Sequence, residues 1–146
     1  MLWKLRRKLR AYRRSNLFQN YVRGFLANGL AALATRPDLI STTERVSPID
    51  FNAELVAGSP LVLDIRNPRE YASKHIPGSI NIPLNHLQDR LAEVPRDRRI
   101  AVHCAGGYRS SAAASILHQH GITNLIEMTG GLAAWETAKL PTVSGP

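Results

Sequence analysis

The stretch Arg98-Arg99-Ile100-Ala101-Val102-His103-Cys104-Ala105-Gly106-Gly107-Tyr108-Arg109-Ser110-Ser111-Ala112-Ala113-Ala114 decides the fold. Its apolar opening, Arg98 to His103, reads as a strand, and its close begins an Ala-rich helix from Ser110 to Gln119. Between them lies a short glycine-containing turn, headed by the only cysteine of the chain. A strand passed through a tight turn into a helix is a building block of parallel sheets. The question is whether its neighbours repeat it.

They do. Upstream, Ser47-Pro48-Ile49-Asp50 reads as an N-cap, a first-turn proline and an acid at N3, so a helix is expected from Pro48 to about Ala57, ended by Gly58. Leu61 to Ile65 is a short apolar run that suits a buried strand, with Asp64 near its carboxyl end. Asn67-Pro68-Arg69-Glu70 is a second helix start, a capping box with Glu70 reaching back, for a helix to about Lys74. Ile76-Pro77-Gly78-Ser79 turns the chain into a strand from Ile80 to Ile82, and Leu84, Leu87 and Leu91 then line a helix that stops before Pro95. Downstream, Gly121 ends the Ala-rich helix, Asn124 to Met128 is a strand, and Gly130-Gly131 turns into a helix from Leu132 to Ala138. The expected class is α/β, three layers, with helices on both faces of a central and mainly parallel sheet. Such folds bind ligands beyond the carboxyl ends of their strands, where Cys104 sits.

The charge divides the chain. Of 146 residues, 19 are Lys or Arg and 11 Asp or Glu, a net +8. Residues 1–37 hold nine of the basic residues and no acid, so residues 38–146 come to −1. The basicity belongs to an extension, expected to be helical over residues 1–45, ahead of a domain at 46–141 and a tail at 142–146. Leu2, Leu5, Leu9 and Tyr12 fall at helical spacing among Lys and Arg, the pattern of a basic amphipathic helix. Residues 1–37 read four ways: a solvated leader, a helix for a membrane surface or an anionic partner, an import leader, or the remnant of an upstream domain. No nucleic-acid partner is expected. One cysteine excludes an internal disulfide, a CxxC pair and a cysteine-rich zinc site, and fits a reducing, cytoplasmic setting.

Cys104 to Arg109 spans C-x4-R, a six-residue loop. With glycines supplying unusual backbone angles, the peptide N–H groups of Ala105, Gly106, Gly107, Tyr108, Arg109 and Ser110 can point inward at the sulfur. The following helix adds positive potential at the same point. Together these depress a thiol from its free value of about 8.5 and hold a persulfide anion. Arg109 can grip the oxygens of a thiosulfate-like donor through its planar fork.

These residues carry a family resemblance. Leu63-Asp64-Ile65-Arg66, Glu70-Tyr71 and His75-Ile76-Pro77-Gly78-Ser79-Ile80-Asn81-Ile82-Pro83 resemble the amino-terminal signature of rhodanese domains. Cys104 to Arg109 resembles their active-site loop, and Gly130-Gly131 with Trp135 their closing motif. The resemblance covers residues from about Val46 to Pro141. It implies a sulfurtransferase in which Cys104 takes a sulfane sulfur from thiosulfate or glutathione persulfide and passes it to a thiol or cyanide. The intermediate is a covalent persulfide, with no other cofactor and no metal. Related phosphatases and arsenate reductases carry a loop one residue longer, which sets the six-residue version apart. The Cys104-Ala105-Gly106-Gly107-Tyr108-Arg109-Ser110 variant is similar to rhodanese domains fused to metallo-β-lactamase-like persulfide dioxygenases, whose metal-binding histidine motifs are missing here. The alternative is a binding or persulfide-carrier module with little turnover.

Around this loop, Asp64 and Arg66 are expected to pair and fix the strand end, with a place at the mouth of the site as the second reading. Tyr108 either flanks a substrate or packs. Ser110 reads as the N-cap of the loop helix ahead of a catalytic hydroxyl. His103, adjacent to Cys104 on a strand, faces away from it. His75 belongs to a structural turn, and His86, His118 and His120 have no metal spacing.

Overall fold

The computed structural model describes residues 27, 29–58 and 60–145. The basic amphipathic helix expected around Leu2, Leu5, Leu9 and Tyr12 lies outside them. Among the described residues before Ser41, short 3₁₀ turns occupy Gly29–Leu33 and Pro37–Leu39. No described helix is long and apolar enough to cross a membrane.

From Ser41 the described residues form five strands and four helices. The strands are β1 (Glu44–Val46), β2 (Leu61–Asp64), β3 (Ile80–Asn81), β4 (Ile100–His103) and β5 (Leu125–Met128). The helices are α1 (Pro48–Val56), α2 (Pro68–Ser73), α3 (Tyr108–Gln119) and α4 (Gly131–Thr137). The strand order is β1-β5-β4-β2-β3, and every pairing is parallel. The loop-bearing strand β4 is the centre of the sheet, with Asp64 opposite His103 on one side and Val102 opposite Glu127 on the other.

Alternation along the strands sorts the core into two layers. Leu63 and Ile65, Ile100, Val102 and Cys104 face α3, whose Ala113, Ala114 and Leu117 cover them. Val62, Ala101, Ile126 and Met128 face α1 and α4, through Phe51, Leu132 and Trp135. The Phe51 and Trp135 rings meet edge to face at 6.1 Å, and Trp135 donates its indole N–H to the Pro141 carbonyl at 2.9 Å. The three-layer expectation is met.

Local signals landed where capping chemistry is decisive. Ser47 accepts from the Asp50 N–H at 3.2 Å, and Gly58 ends α1 at φ +82°. Asn67 and Glu70 form the expected capping box of α2. Three expectations need correction. Glu44–Val46 is a strand of the sheet, although two of its three residues are charged; an edge position with exposed side chains tolerates them. The helix expected over Leu84 to Leu91 is two 3₁₀ turns, Leu84–His86 and Leu91–Glu93. Asn85, His86 and Asp89 are poor helix formers, and the Arg90 guanidinium is drawn to Glu93 and the Asn81 carbonyl. Leu87 is buried all the same, with Leu84 and Leu91 packed beside it. Beyond Pro141 the chain is tied down: His75 and Val143 exchange backbone hydrogen bonds of 2.8 and 2.9 Å.

Candidate functional site

Strand β4 ends at His103 in the middle of the sheet, so Cys104 emerges at its carboxyl end on the α3 side. The loop turns at Gly107, whose φ of +96° is left-handed backbone that glycine adopts without strain. Helix α3 therefore begins at Tyr108, two residues earlier than expected, and Gly107 is its N-cap. Ser110 is displaced from the expected capping role to the third helical position. Its hydroxyl donates to the Gly107 carbonyl at 2.9 Å and lies 3.8 Å from Cys104 Sγ.

The loop amides face the sulfur because its carbonyls are held elsewhere. Leu132 N–H, in the first turn of α4, bonds the Cys104 carbonyl at 2.7 Å, and Ala133 N–H bonds that of Ala105 at 3.0 Å. This close approach needs Gly131: a Cβ there would stand 2.4 Å from the Cys104 oxygen and 2.6 Å from the Ala105 carbonyl carbon. The Gly130-Gly131 pair is thus a clamp on the loop as well as a turn. Sequence patterning marked the turn and gave no sign of the clamp.

On the other side of each peptide, the N–H groups serve Cys104. Gly107 N–H donates to Sγ at 3.1 Å. Burial pushes the thiol up, but the amides of Ser110, Gly107 and Gly106 and the Ser110 hydroxyl outweigh it and hold the pKa below the ordinary thiol value. Cys104 itself is 1% exposed, whereas Tyr108 beside it is 91% exposed. The sulfur lies at the bottom of a peptide cradle, and the Tyr108 ring stands at the rim rather than packing.

Arg109 is in reach of the site but engaged. Its two Nη atoms donate to the two carboxylate oxygens of Glu70, each at 2.8 Å. The Arg109 guanidinium holds Glu70 down at about 2 against burial, which opposes it. Sequence reading assigned Glu70 to the capping box alone, and its second partner is 39 positions away. An apolar cleft of about 360 Å³ opens next to this pair, lined by Ile65, Asn67, Pro83, Leu84, Asn85 and Arg109. A larger hollow lies at the opposite end of the strands, near Arg99 and Asn124, and shares no residue with the loop.

Asp64 and Arg66 pair with one another, with Nη2 to Oδ2 at 2.6 Å, and Arg66 also donates to the Lys74 carbonyl at 2.6 Å. Both are buried, and Asp64 is on the face of the sheet opposite Cys104, so they fasten the end of β2 to the end of α2. His103 also faces away from Sγ. Its Nε2 is 3.5 Å from Asp64 Oδ2 and its Nδ1 3.3 Å from the Cys104 carbonyl oxygen. Burial depresses its pKa, with Asp64 pulling the other way, so the ring is neutral near pH 7. His75 stacks on Tyr71 at 3.9 Å, a structural place. Among the described residues no three His, Cys, Asp or Glu side chains gather at metal-binding distance.

The chain is 36% identical over 84 residues to a sulfurtransferase of Allochromatium vinosum, covering 58% of this chain and 78% of that protein. It is 35% identical over 85 residues to the thiosulfate sulfurtransferase PspE of Escherichia coli, covering 57% and 78%. Among solved structures, a rhodanese-related protein of Thermoplasma volcanium superimposes with a TM-score of 0.64 at 34% identity, over 68% of this chain and 97% of that one. Some other curated relatives are longer, and the chain spans 46% to 51% of their length. Residues 47–138 match the rhodanese-like domain model, and the chain belongs to that family.

Proposed function

We propose that this protein transfers sulfane sulfur through a persulfide on Cys104, with thiosulfate or an organic persulfide as donor and a thiol or cyanide as acceptor. The observation that carries this reading is the Gly107 N–H bond to Sγ at 3.1 Å, within a loop whose amides depress the thiol. The thiolate attacks the outer sulfur of the donor. The donor S–S bond breaks, its electron pair leaves with sulfite or the organic thiolate, and a new S–S bond forms on Cys104. The acceptor then attacks the outer sulfur and returns Sγ to the thiolate.

Geometry supports a single-atom cargo. With Cys104 only 1% exposed, a donor must enter end-on, and one sulfur atom reaches Sγ where a bulky tetrahedral group meets the rim first. The outer sulfur of the persulfide then carries the negative charge, and the amides that depress the thiol stabilise it through charge-assisted hydrogen bonds. Likeness to the sulfurtransferase of Allochromatium vinosum and to PspE supports the same chemistry.

Intact-mass spectrometry before and after thiosulfate tests the reading. The expected result is a gain of one sulfur atom that cyanide removes, absent from Cys104→Ser. A folded wild-type protein with a free thiol that takes no sulfur from thiosulfate or glutathione persulfide would sink it.

A further inference from the structure

A negatively charged donor needs a cation near the loop, and Arg109, the obvious one, has both Nη atoms on Glu70. Arg66 is equally committed, buried on Asp64 and the Lys74 carbonyl. A third guanidinium stands beside the cradle. Arg45, on the edge strand β1, projects on the α3 side, and its Nη2 lies 3.8 Å from where a Cβ on Gly107 would stand. Gly107 is the residue whose amide bonds Sγ.

Arg45 is held there by a buried partner. Its Nη2 is 3.1 Å from Glu127 Oε1, and the same oxygen accepts from the Ser111 hydroxyl at 2.9 Å. Glu127 faces Arg45 directly across the β1–β5 register and its side chain is 3% exposed, whereas that of Arg45 is 53% exposed. One end of the contact is thus anchored in the protein and the other reaches solvent. Nη2 is the atom set against Glu127, and with 53% of its side chain exposed the Arg45 guanidinium also reaches the solvent side.

We infer that Arg45 is a specificity-determining residue, which binds the anionic end of the sulfur donor: a sulfonate, as in thiosulfate, or the carboxylate of an organic persulfide. The inference rests on the sulfur-transfer reading above and adds the charge class of the donor. The reach is adequate. Through Gly107, Nη2 is within roughly 9 Å of Sγ. A donor seated end-on carries its anionic oxygens about 5–6 Å beyond Sγ, and a hydrogen bond of about 3 Å closes the rest. The role of Glu127 is to hold the arginine in place, at the cost of partly cancelling its charge, as a buried carboxylate must have a cation.

The test compares two donors. Thiosulfate ends in a sulfonate, and 2-hydroxyethyl persulfide has an organic arm with no charge. Steady-state sulfur transfer to cyanide is measured for wild type, Arg45→Gln and the double variant Arg45→Gln/Glu127→Gln. The single variant strands a buried carboxylate and risks a folding defect, which the double variant relieves. The expected result is a KM for thiosulfate raised about tenfold in both variants, with kcat little changed and the KM for hydroxyethyl persulfide moving less than twofold. Salt should weaken thiosulfate use by wild type more steeply than by the double variant. Recovery of the wild-type thiosulfate KM in the double variant would overturn the inference, because Arg45 would then serve only to neutralise Glu127. An equal loss with both donors would overturn it as well. A wild-type protein inactive with both donors would overturn the sulfur-transfer reading, and this inference with it.

Discussion

Two arginine–carboxylate pairs flank the ends of β2 and β4, alike in chemistry and opposite in burial. Arg66 and Asp64 are 5% and 0% exposed at the side chain, and the guanidinium is locked further onto the Lys74 carbonyl. Arg109 and Glu70 form an equally good bidentate contact, but are 39% and 29% exposed. A buried pair cannot open without stranding a charge in a poorly solvated place, whereas an exposed one opens at small cost because water replaces the partner. The first pair therefore belongs to the frame that positions the Cys104 loop. The second is a hold that a ligand can exchange.

Stripping one partner from each pair should expose this difference, and the buried one should react most. Asp64→Ala leaves the Arg66 guanidinium uncompensated and is expected to lower stability by about 3–5 kcal/mol in urea unfolding. The double variant Asp64→Leu/Arg66→Met, which removes both charges and keeps the volume, should recover most of that loss. A loss below about 1 kcal/mol for Asp64→Ala would place the pair in contact with water and remove the distinction.

The two pairs also differ in how far they could be read from the chain. Asp64 and Arg66 are two residues apart at the end of an apolar run, so a local ion pair fixing the strand end was the natural expectation. Glu70 and Arg109 are 39 apart, and each had a complete local explanation: Glu70 in a capping box, Arg109 in the Cys104 loop as a grip for the donor's oxygens. The same limit runs through the molecule. The α1 and α2 starts, the β4 strand and the position of Cys104 follow from local capping and apolar runs. The clamp of Gly131 on the Cys104 carbonyl, the approach of Arg45 to Gly107 and the β1 strand depend on the register β1-β5-β4, which no local pattern encodes. The Leu84 to Leu91 region shows the reverse error. Its apolar spacing was right about burial, but spacing does not distinguish a helix from two 3₁₀ turns that bury the same leucines.

A smaller effect concerns donor use. Glu70→Gln keeps the capping box, as glutamine can reach back to the Asn67 N–H as glutamate does. It removes the charge that occupies Arg109, so a freed guanidinium joins the cations available to an anionic donor. The KM for thiosulfate should fall by about two- to fivefold, the scale of 0.5–1 kcal/mol for an exposed pair. The buried counterpart offers no such gain, since Arg66 is turned away from Sγ. A KM that stays level or rises in Glu70→Gln would mean that Arg109 takes no part in donor binding even when released.

The smallest effect is the pH signature of the exposed pair. Arg109 holds Glu70 at about 2, below its ordinary value of 4.5, against burial and with help from the Asn67 N–H. A carboxylate depressed in this way contributes stability that is fully present above pH 4.5 and lost as pH falls through about 2, where the folded state takes up its proton. The stability gap between wild type and Glu70→Gln should therefore be constant from pH 7 to about 5 and shrink steadily below that. With both side chains around a third exposed, the gap should stay under about 1 kcal/mol and diminish further in high salt. Urea midpoints at pH 7, 5 and 3 measure it directly. A gap that persists undiminished at pH 3 would show that Glu70 takes up its proton alike in the folded and unfolded states, so that Arg109 exerts no hold on it and the exposed pair contributes nothing that pH can remove.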